Sequence, residues 1–257
     1  MQQILTIIGL FSLGAVFGSF LNVLIYRLPM KQSIITPGSY CPSCRKPLRA
    51  VDNIPILSFI LLGGRCRYCR WAIPYRYILV ETLSGLLWVA LYHQFGISTE
   101  FVLYTVLFSI LLVCAYTDLD HYRILNSVVF AGFLIALFLI LLLNLDHLKS
   151  SVAGMLVGTL FMLFWAAVGK LLFNKTALGM GDVKLTALIG LFTGPQNILL
   201  ILFLAFLLAA LIGSIHAAIN RRLRDQRLPL APFIAVASII ITLYGNQLVQ
   251  RYLELLS

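Results

Sequence analysis

Apolar residues in this chain come in long unbroken runs rather than at helical or strand intervals. Ile4–Tyr26 holds no charged residue, and Ile78–Tyr92 holds one, Glu81. Phe101–Thr117, Ile124–Leu143, Ser150–Gly169, Ile198–Ile219 and Leu228–Tyr244 follow. A helix needs ~20 predominantly apolar residues to cross the hydrocarbon of a bilayer, and most of these runs reach that length with their flanks. Leu185–Gly194 is shorter and reads as either a short crossing begun at Asp182–Lys184 or a re-entrant segment; a crossing is preferred on orientation grounds.

Orientation follows from the basic residues, which concentrate on the cytoplasmic side of membrane proteins. With eight crossings and both termini outside, all but Lys149 and Arg251 of the 19 Lys and Arg residues fall inside. Seven crossings would turn either Arg27–Arg76 or Arg221–Arg227 outward. The expected fold is an all-α polytopic membrane protein of about eight transmembrane helices. Residues 1–26 form the first helix, 27–76 a cytoplasmic insertion, and 77–257 helices two to eight. The first run reads as an anchor, since no basic segment precedes it and no small-residue cleavage site follows. No repeat at a fixed period is apparent.

Composition supports this. Hydrophobic residues make up 61% and charged residues 11%, against about 25% charged in soluble domains, and the mean hydropathy is +0.98. The net charge of +10 is therefore read as topology and attraction to anionic lipid, not nucleic-acid binding.

The insertion carries Cys41-Pro-Ser-Cys44 and Cys66-Arg-Tyr-Cys69, with 21 residues between the pairs. Two such hairpins can aim four thiolates at one ion, a closed structural arrangement typical of zinc. A thiolate-held metal, zinc before iron, is preferred to two disulfides because the segment is placed in the reducing cytoplasm. A small, weakly apolar segment also gains folding energy from a metal. Cys114 stands alone in an apolar run and reads as a small buried hydrophobe.

Only nine acids are present. Asp52, Asp225 and Glu254 are expected to be solvated, and Glu100 and Asp146 to lie on external turns. Asp118 closes the third apolar run and Asp182 opens the short sixth one, so both are expected at the cytoplasmic boundary. Acids at that depth default to a functional hypothesis. Two carboxylates sharing a proton can activate water and polarise a carbonyl; the alternative is that they cap helices, as Asp182 at a helix N-terminus would. Gly179 and Gly181 let the backbone approach a partner closely beside Asp182. Glu81, about one turn into the second helix, needs a partner such as Arg76.

These motifs resemble those of type IV prepilin peptidases, membrane aspartyl proteases of the bacterial inner membrane. Gly179-Met-Gly-Asp182 is similar to the family's GxGD signature, and Asp118-Leu-Asp-His121 to its first aspartate motif. Gly18–Pro29, the paired Cys-x-x-Cys motifs, Tyr75-Arg-Tyr77 and Val80-Glu81 match in the same order. Two departures stand out: Leu125 occupies a position where proline is usual, and Leu228-Pro-Leu230-Ala231-Pro-Phe233 replaces a Pro-Phe-Gly-Pro-like stretch.

The resemblance implies cleavage of the leader of prepilins or pseudopilins at the cytoplasmic face, with Asp118 and Asp182 as the catalytic pair in a core of about residues 100–257. It further implies methylation of the new N-terminal amine by S-adenosylmethionine, for which Glu81 and Asn22 are candidate residues. Ser19 and Asn22 could instead bond across helices. Asp120 competes with Asp118 but points ~200° away from it around a helix. Lys184 and His121 could tune charge near the pair, although Lys184 reads more simply as a snorkelling lysine. The rival readings are a peptidase without methyltransferase activity, an ion or solute carrier, and a membrane scaffold with inert acids. A carrier would place its acids near the midplane, whereas two of these three lie at the boundary. Gly14-x-x-x-Gly18 and Gly154-x-x-x-Gly158 point to close helix packing within the chain, and no oligomeric state is set by the sequence.

Overall fold

The structure is a computed structural model that describes residues 1–143, 145–173, 179–219 and 228–256. The Arg221–Arg227 cluster, Lys175 and Asp225 lie outside the described residues, as does the side chain of Asp146. The chain divides into two compact units, Met1–Ile97 and Ser98–Ser257.

In the first unit, helix α1 (Gln2–Arg27) lies against α3 (Arg76–Phe95), and the insertion between them holds a 3₁₀ turn, Ala50–Asn53, and a short helix α2, Leu57–Leu61. Glycine makes the α1–α3 contact. A methyl group on Gly14 would stand 2.8 Å from Gly85 Cα, and one on Gly18 would stand 2.7 Å from Glu81 Cα. That spacing lets the two backbones touch, and it sets Ser19 and Asn22 of α1 beside the first turns of α3. Away from that contact α1 exposes Leu5, Leu13, Val16 and Phe20, as lipid contact requires.

The second unit contains α4 (Thr99–His121), α5 (Asn126–Leu143), a 3₁₀ turn at Leu145–His147, α6 (Leu148–Phe173), α7 (Met180–Ile219) and α8 (Ala231–Leu256). Among the described residues six helices are long and apolar enough to cross a membrane, and α8 carries a shorter apolar segment, Ala231–Gly245. The protein is a multi-pass membrane protein.

Helix α7 is not one rod. Gly194 has φ 78 and ψ 175, and Pro195 follows it, so the helical bonding ladder is interrupted there. A methyl group on Gly158 of α6 would lie 2.9 Å from Ile198 Cγ1 and 3.1 Å from Thr186 Cγ2. In a straight helix those two residues would be ~18 Å apart. The chain therefore doubles back at Gly194, and residues 180–193 and 195–219 run as an antiparallel pair against α6. The short and long apolar runs thus occupy separate arms of one hairpin. The first arm rises only ~21 Å, less than the ~30 Å hydrocarbon thickness. Its turn lies at a polar cavity of about 370 Å³ bordered by Glu100, Tyr104, His147, Ser150 and Asn197. Irregular backbone inside a bilayer is tolerated where it lines such a cavity.

Gly154 touches the backbone of Gly190 and Gly194 at this turn. We predict that Gly154→Leu separates α6 from α7 and lowers stability by about 3 kcal/mol or more. Gly9→Leu, where a side chain meets nothing within 4 Å, is expected to leave it unchanged. Thermal unfolding of the two variants in detergent checks this.

Candidate active site and metal centre

The four cysteines sit in two near-identical knuckles. In the first, Cys41 N–H donates to Lys46 O (3.0 Å) and Arg45 N–H to Cys41 O (2.8 Å). In the second, Cys66 N–H donates to Trp71 O (2.8 Å) and Arg70 N–H to Cys66 O (3.0 Å). Arg45 and Arg70, each directly after its second cysteine, both adopt φ 58. Cys41–Arg45 and Cys66–Arg70 are thus a structural repeat, where the sequence reading expected none. The signal was present as Cys-x-x-Cys-Arg in both places.

All four sulfurs lie within 4.8 Å of one another, and Cys41 Sγ is 3.8 Å from Cys69 Sγ. No disulfide joins them. Four sulfurs placed ~2.3 Å from one tetrahedral ion stand roughly 3.8 Å apart, so the group can hold a metal. The Tyr68 N–H points at Cys66 Sγ (3.4 Å), and the Cys69 and Tyr68 backbone donors, the Cys69 one foremost, draw the Cys66 thiol down to about 7. Burial pushes Cys41 up to about 11.

Asp52 corrects an expectation. It is buried, 8% exposed, and accepts from Arg67 Nε (2.9 Å) and Nη2 (2.6 Å). The Arg67 guanidinium holds its carboxyl below the usual carboxylate range. This pair ties the 3₁₀ turn to the second knuckle, because Arg67 directly follows Cys66. It persists above the carboxylate range and is lost as pH falls through the lowered pKa of Asp52.

Glu81 is also corrected. Its partners are the Ile56 N–H (2.7 Å) and the Ser19 hydroxyl, where Arg76 or another cytoplasmic-side arginine was expected. Asn22 bonds across the helix pair, Nδ2 to Tyr77 O at 3.1 Å.

In the second unit, four helix ends meet. Asp118 lies in the last turn of α4 and is 7% exposed. Its Oδ2 accepts the backbone N–H of Ala231, the first residue of α8, at 3.1 Å, and the Leu230 N–H acts on the same carboxylate. Because the donors are backbone groups, the Leu230-Ala231 departure from the family pattern leaves this contact intact. Sequence reasoning missed this contact to Asp118, since a backbone donor leaves no trace in residue type.

Asp182 sits in the first turn of α7, close enough to Asp118 for their charges to interact. Gly179 and Gly181 leave little space there. A methyl on Gly179 would stand 3.0 Å from Asp182 Oδ2, and one on Gly181 would stand 3.0 Å from Ile124 Cβ. Lys184 Nζ donates to Asn126 Oδ1 at 3.1 Å, so this lysine ties α7 to the start of α5. The chain break that proline would supply near Leu125 comes from Tyr122, which ends α4 at φ 52, ψ 40. Asp120 and His121 are exposed. Cys114 is buried, as expected.

Comparison with known proteins agrees with this division. Residues 12–95 match the bacterial peptidase A24 N-terminal domain and residues 105–214 the type IV leader peptidase family. A Bacillus subtilis protein named prepilin leader peptidase/N-methyltransferase is 35% identical over 96% of this chain and 97% of its own length. The chain belongs to the type IV leader peptidase family. A Pseudomonas aeruginosa protein of the same name is 34% identical over 94% of this chain and 91% of its own length. A Myxococcus xanthus protein, again so named, is 41% identical over 79% of this chain, and the match spans 61% of that relative. No solved structure matches the chain. Family membership disfavours the carrier and scaffold readings. The sharp break in α7 at Gly194 lies at the far end of the helices from Asp118 and Asp182.

Purified protein should carry about one metal ion per chain by elemental analysis. Cys66→Ser should reduce this to near zero and open the 41–70 segment to proteolysis, since metal binding and folding are linked.

Proposed function

We propose that this protein removes the leader of prepilins or pseudopilins at the cytoplasmic face of the bacterial inner membrane, and N-methylates the new terminus. Asp118 and Asp182 form the catalytic pair. The observation that carries the peptidase reading is the meeting of Asp118, Asp182 and the α8 N-terminus at one end of the second unit. The names of the relatives support both activities.

One carboxylate takes a proton from a water as its oxygen attacks the scissile carbonyl carbon. The other, protonated, gives its proton toward the carbonyl oxygen, so a neutral gem-diol forms. Collapse of that intermediate passes a proton to the leaving amine and breaks the C–N bond. The Ala231 N–H fixes the Asp118 carboxylate, and Gly179 and Gly181 allow Asp182 to approach without a side chain intervening.

The metal of the four cysteines is proposed to be zinc in a structural role. Four thiolates fill a tetrahedral shell and leave no position for a reacting water. S-adenosylmethionine is proposed as methyl donor, supplying an electrophilic methyl carbon on a sulfonium. The N-terminal unit, with its buried acid and cavity, is where the residues fit such a donor.

The test is the intact mass of a prepilin incubated with membrane-embedded enzyme. Wild type should release the leader, and Asp118→Asn and Asp182→Asn should each slow release by about 10³-fold or more. Asp120→Asn should cleave at close to the wild-type rate. Unimpaired cleavage by either Asp118→Asn or Asp182→Asn would overturn the pairing.

A further inference from the structure

Two adjoining cavities lie in the N-terminal unit. One, of about 140 Å³, is bordered by Glu81 and by the aromatic side chains Tyr26, Tyr40, Phe59, Trp71 and Tyr77. The other, of about 350 Å³, has an apolar outer wall of Val16, Phe20, Ile34 and Ile35. Ser19, Val23, Arg27, Ser39 and Asn53 border both. Together they fall in the size range of small-molecule sites, roughly 300–1,000 Å³.

The charges in the first cavity are unequally matched. Asp52 is paired with Arg67. Arg27 places its guanidinium on the carbonyls of Ser33, Pro37 and Gly38, at 2.8–3.0 Å, and over the Tyr40 ring. Glu81 is 6% exposed, and its hydrogen-bond partners, an N–H and a hydroxyl, are neutral. A buried carboxylate without a cation is costly. The local backbone is strained to support it. Ile56, a β-branched residue, holds φ 63 and ψ −53, and from that conformation its N–H reaches the carboxylate. Strain of this kind persists where the surroundings over-determine it, and it clusters at functional sites.

We propose that this aromatic-lined cavity binds the sulfonium of S-adenosylmethionine, with Glu81 as its counter-charge, and that the acceptor amine reaches it from the apolar cavity. The inference rests on the methyltransferase part of the proposed function. A sulfonium is a permanent cation that donates no N–H or O–H bond. It is held instead by a carboxylate at close range and by the faces of aromatic rings. In the transfer, the lone pair of the unprotonated amine forms the N–C bond. The C–S bond breaks with its electrons kept by sulfur, and the positive charge passes to nitrogen. The sulfur product is then a neutral thioether, which Glu81 no longer attracts. The site therefore distinguishes donor from spent donor by charge.

The test is calorimetric binding of S-adenosylmethionine and S-adenosylhomocysteine to the full chain in nanodiscs. Wild type should bind the sulfonium compound about tenfold or more tighter than the thioether. Glu81→Gln keeps an acceptor oxygen for Ile56 and Ser19 but removes the charge. It should abolish that preference while leaving thioether affinity within about twofold. Phe59→Leu, which thins the aromatic wall and keeps the carboxylate, should weaken sulfonium binding several-fold more than thioether binding. Glu81→Gln retaining the wild-type preference would overturn the assignment, as would a wild type that methylates cleaved substrate yet binds both compounds equally. If Glu81→Gln fails to fold by thermal melting, an unaltered preference in Phe59→Leu overturns it. A wild type that binds neither compound and adds no methyl group would instead overturn the methyltransferase reading, and this inference with it.

Discussion

Between Gly154 of α6 and the backbone of Gly190 and Gly194 there is no room for a methyl group. In a bilayer, helices gain little from burying apolar surface against one another, so close packing must supply the association. Here that packing holds α7 in a hairpin. Residues 180–193 then run back from the turn, so Asp182 arrives at the end of the unit where α4 finishes with Asp118 and α8 starts with Ala231. Without the reversal at Gly194, α7 would be a ~60 Å rod, far too long for one crossing. The same device works on a smaller scale in the first unit, where Gly14 and Gly18 bring α1 onto α3 and so place Ser19 and Asn22 next to Glu81 and Tyr77.

Several polar groups within the apolar helices find partners across helix contacts. Asp118 receives an α8 backbone N–H, Asn22 donates to a backbone carbonyl, and Lys184 meets Asn126. Buried polar groups require such partners. In the insertion the same requirement is met by different means. Arg27 covers three carbonyls of the loop that follows α1, and the Asp52–Arg67 pair braces the second knuckle. A segment with little apolar core is thereby held by charge-assisted bonds and by four sulfurs arranged around a point.

Much of this was legible in the sequence, for identifiable reasons. Unbroken apolar runs and the distribution of lysine and arginine gave the membrane-spanning helices. The Cys-x-x-Cys pairs gave the sulfur cluster, since that spacing places two thiols on one hairpin. Gly-x-x-x-Gly correctly indicated internal packing at Gly14–Gly18 and Gly154–Gly158. Asp52 was misread as solvated because nothing local announces an arginine fifteen residues away as its partner. Glu81 was assigned an arginine by proximity along its own helix, whereas its N–H donor, Ile56, comes from a strained turn that no propensity foretells. The bond from Ala231 to Asp118 spans more than a hundred residues through a backbone atom, so the side-chain sequence is silent about it.

The central claim is that Asp118 and Asp182 act together on one water. It is tested most directly with a prepilin peptide bearing a hydroxyl-substituted tetrahedral carbon in place of the scissile amide, compared with the matched amide peptide. Groups that mimic the attacked carbonyl bind aspartyl pairs at least ~10²-fold tighter than the ground-state amide. The account predicts that preference in the wild type and its loss in both Asp118→Asn and Asp182→Asn. Equal affinity of the wild type for the two peptides, or a preference that survives either substitution, would contradict it.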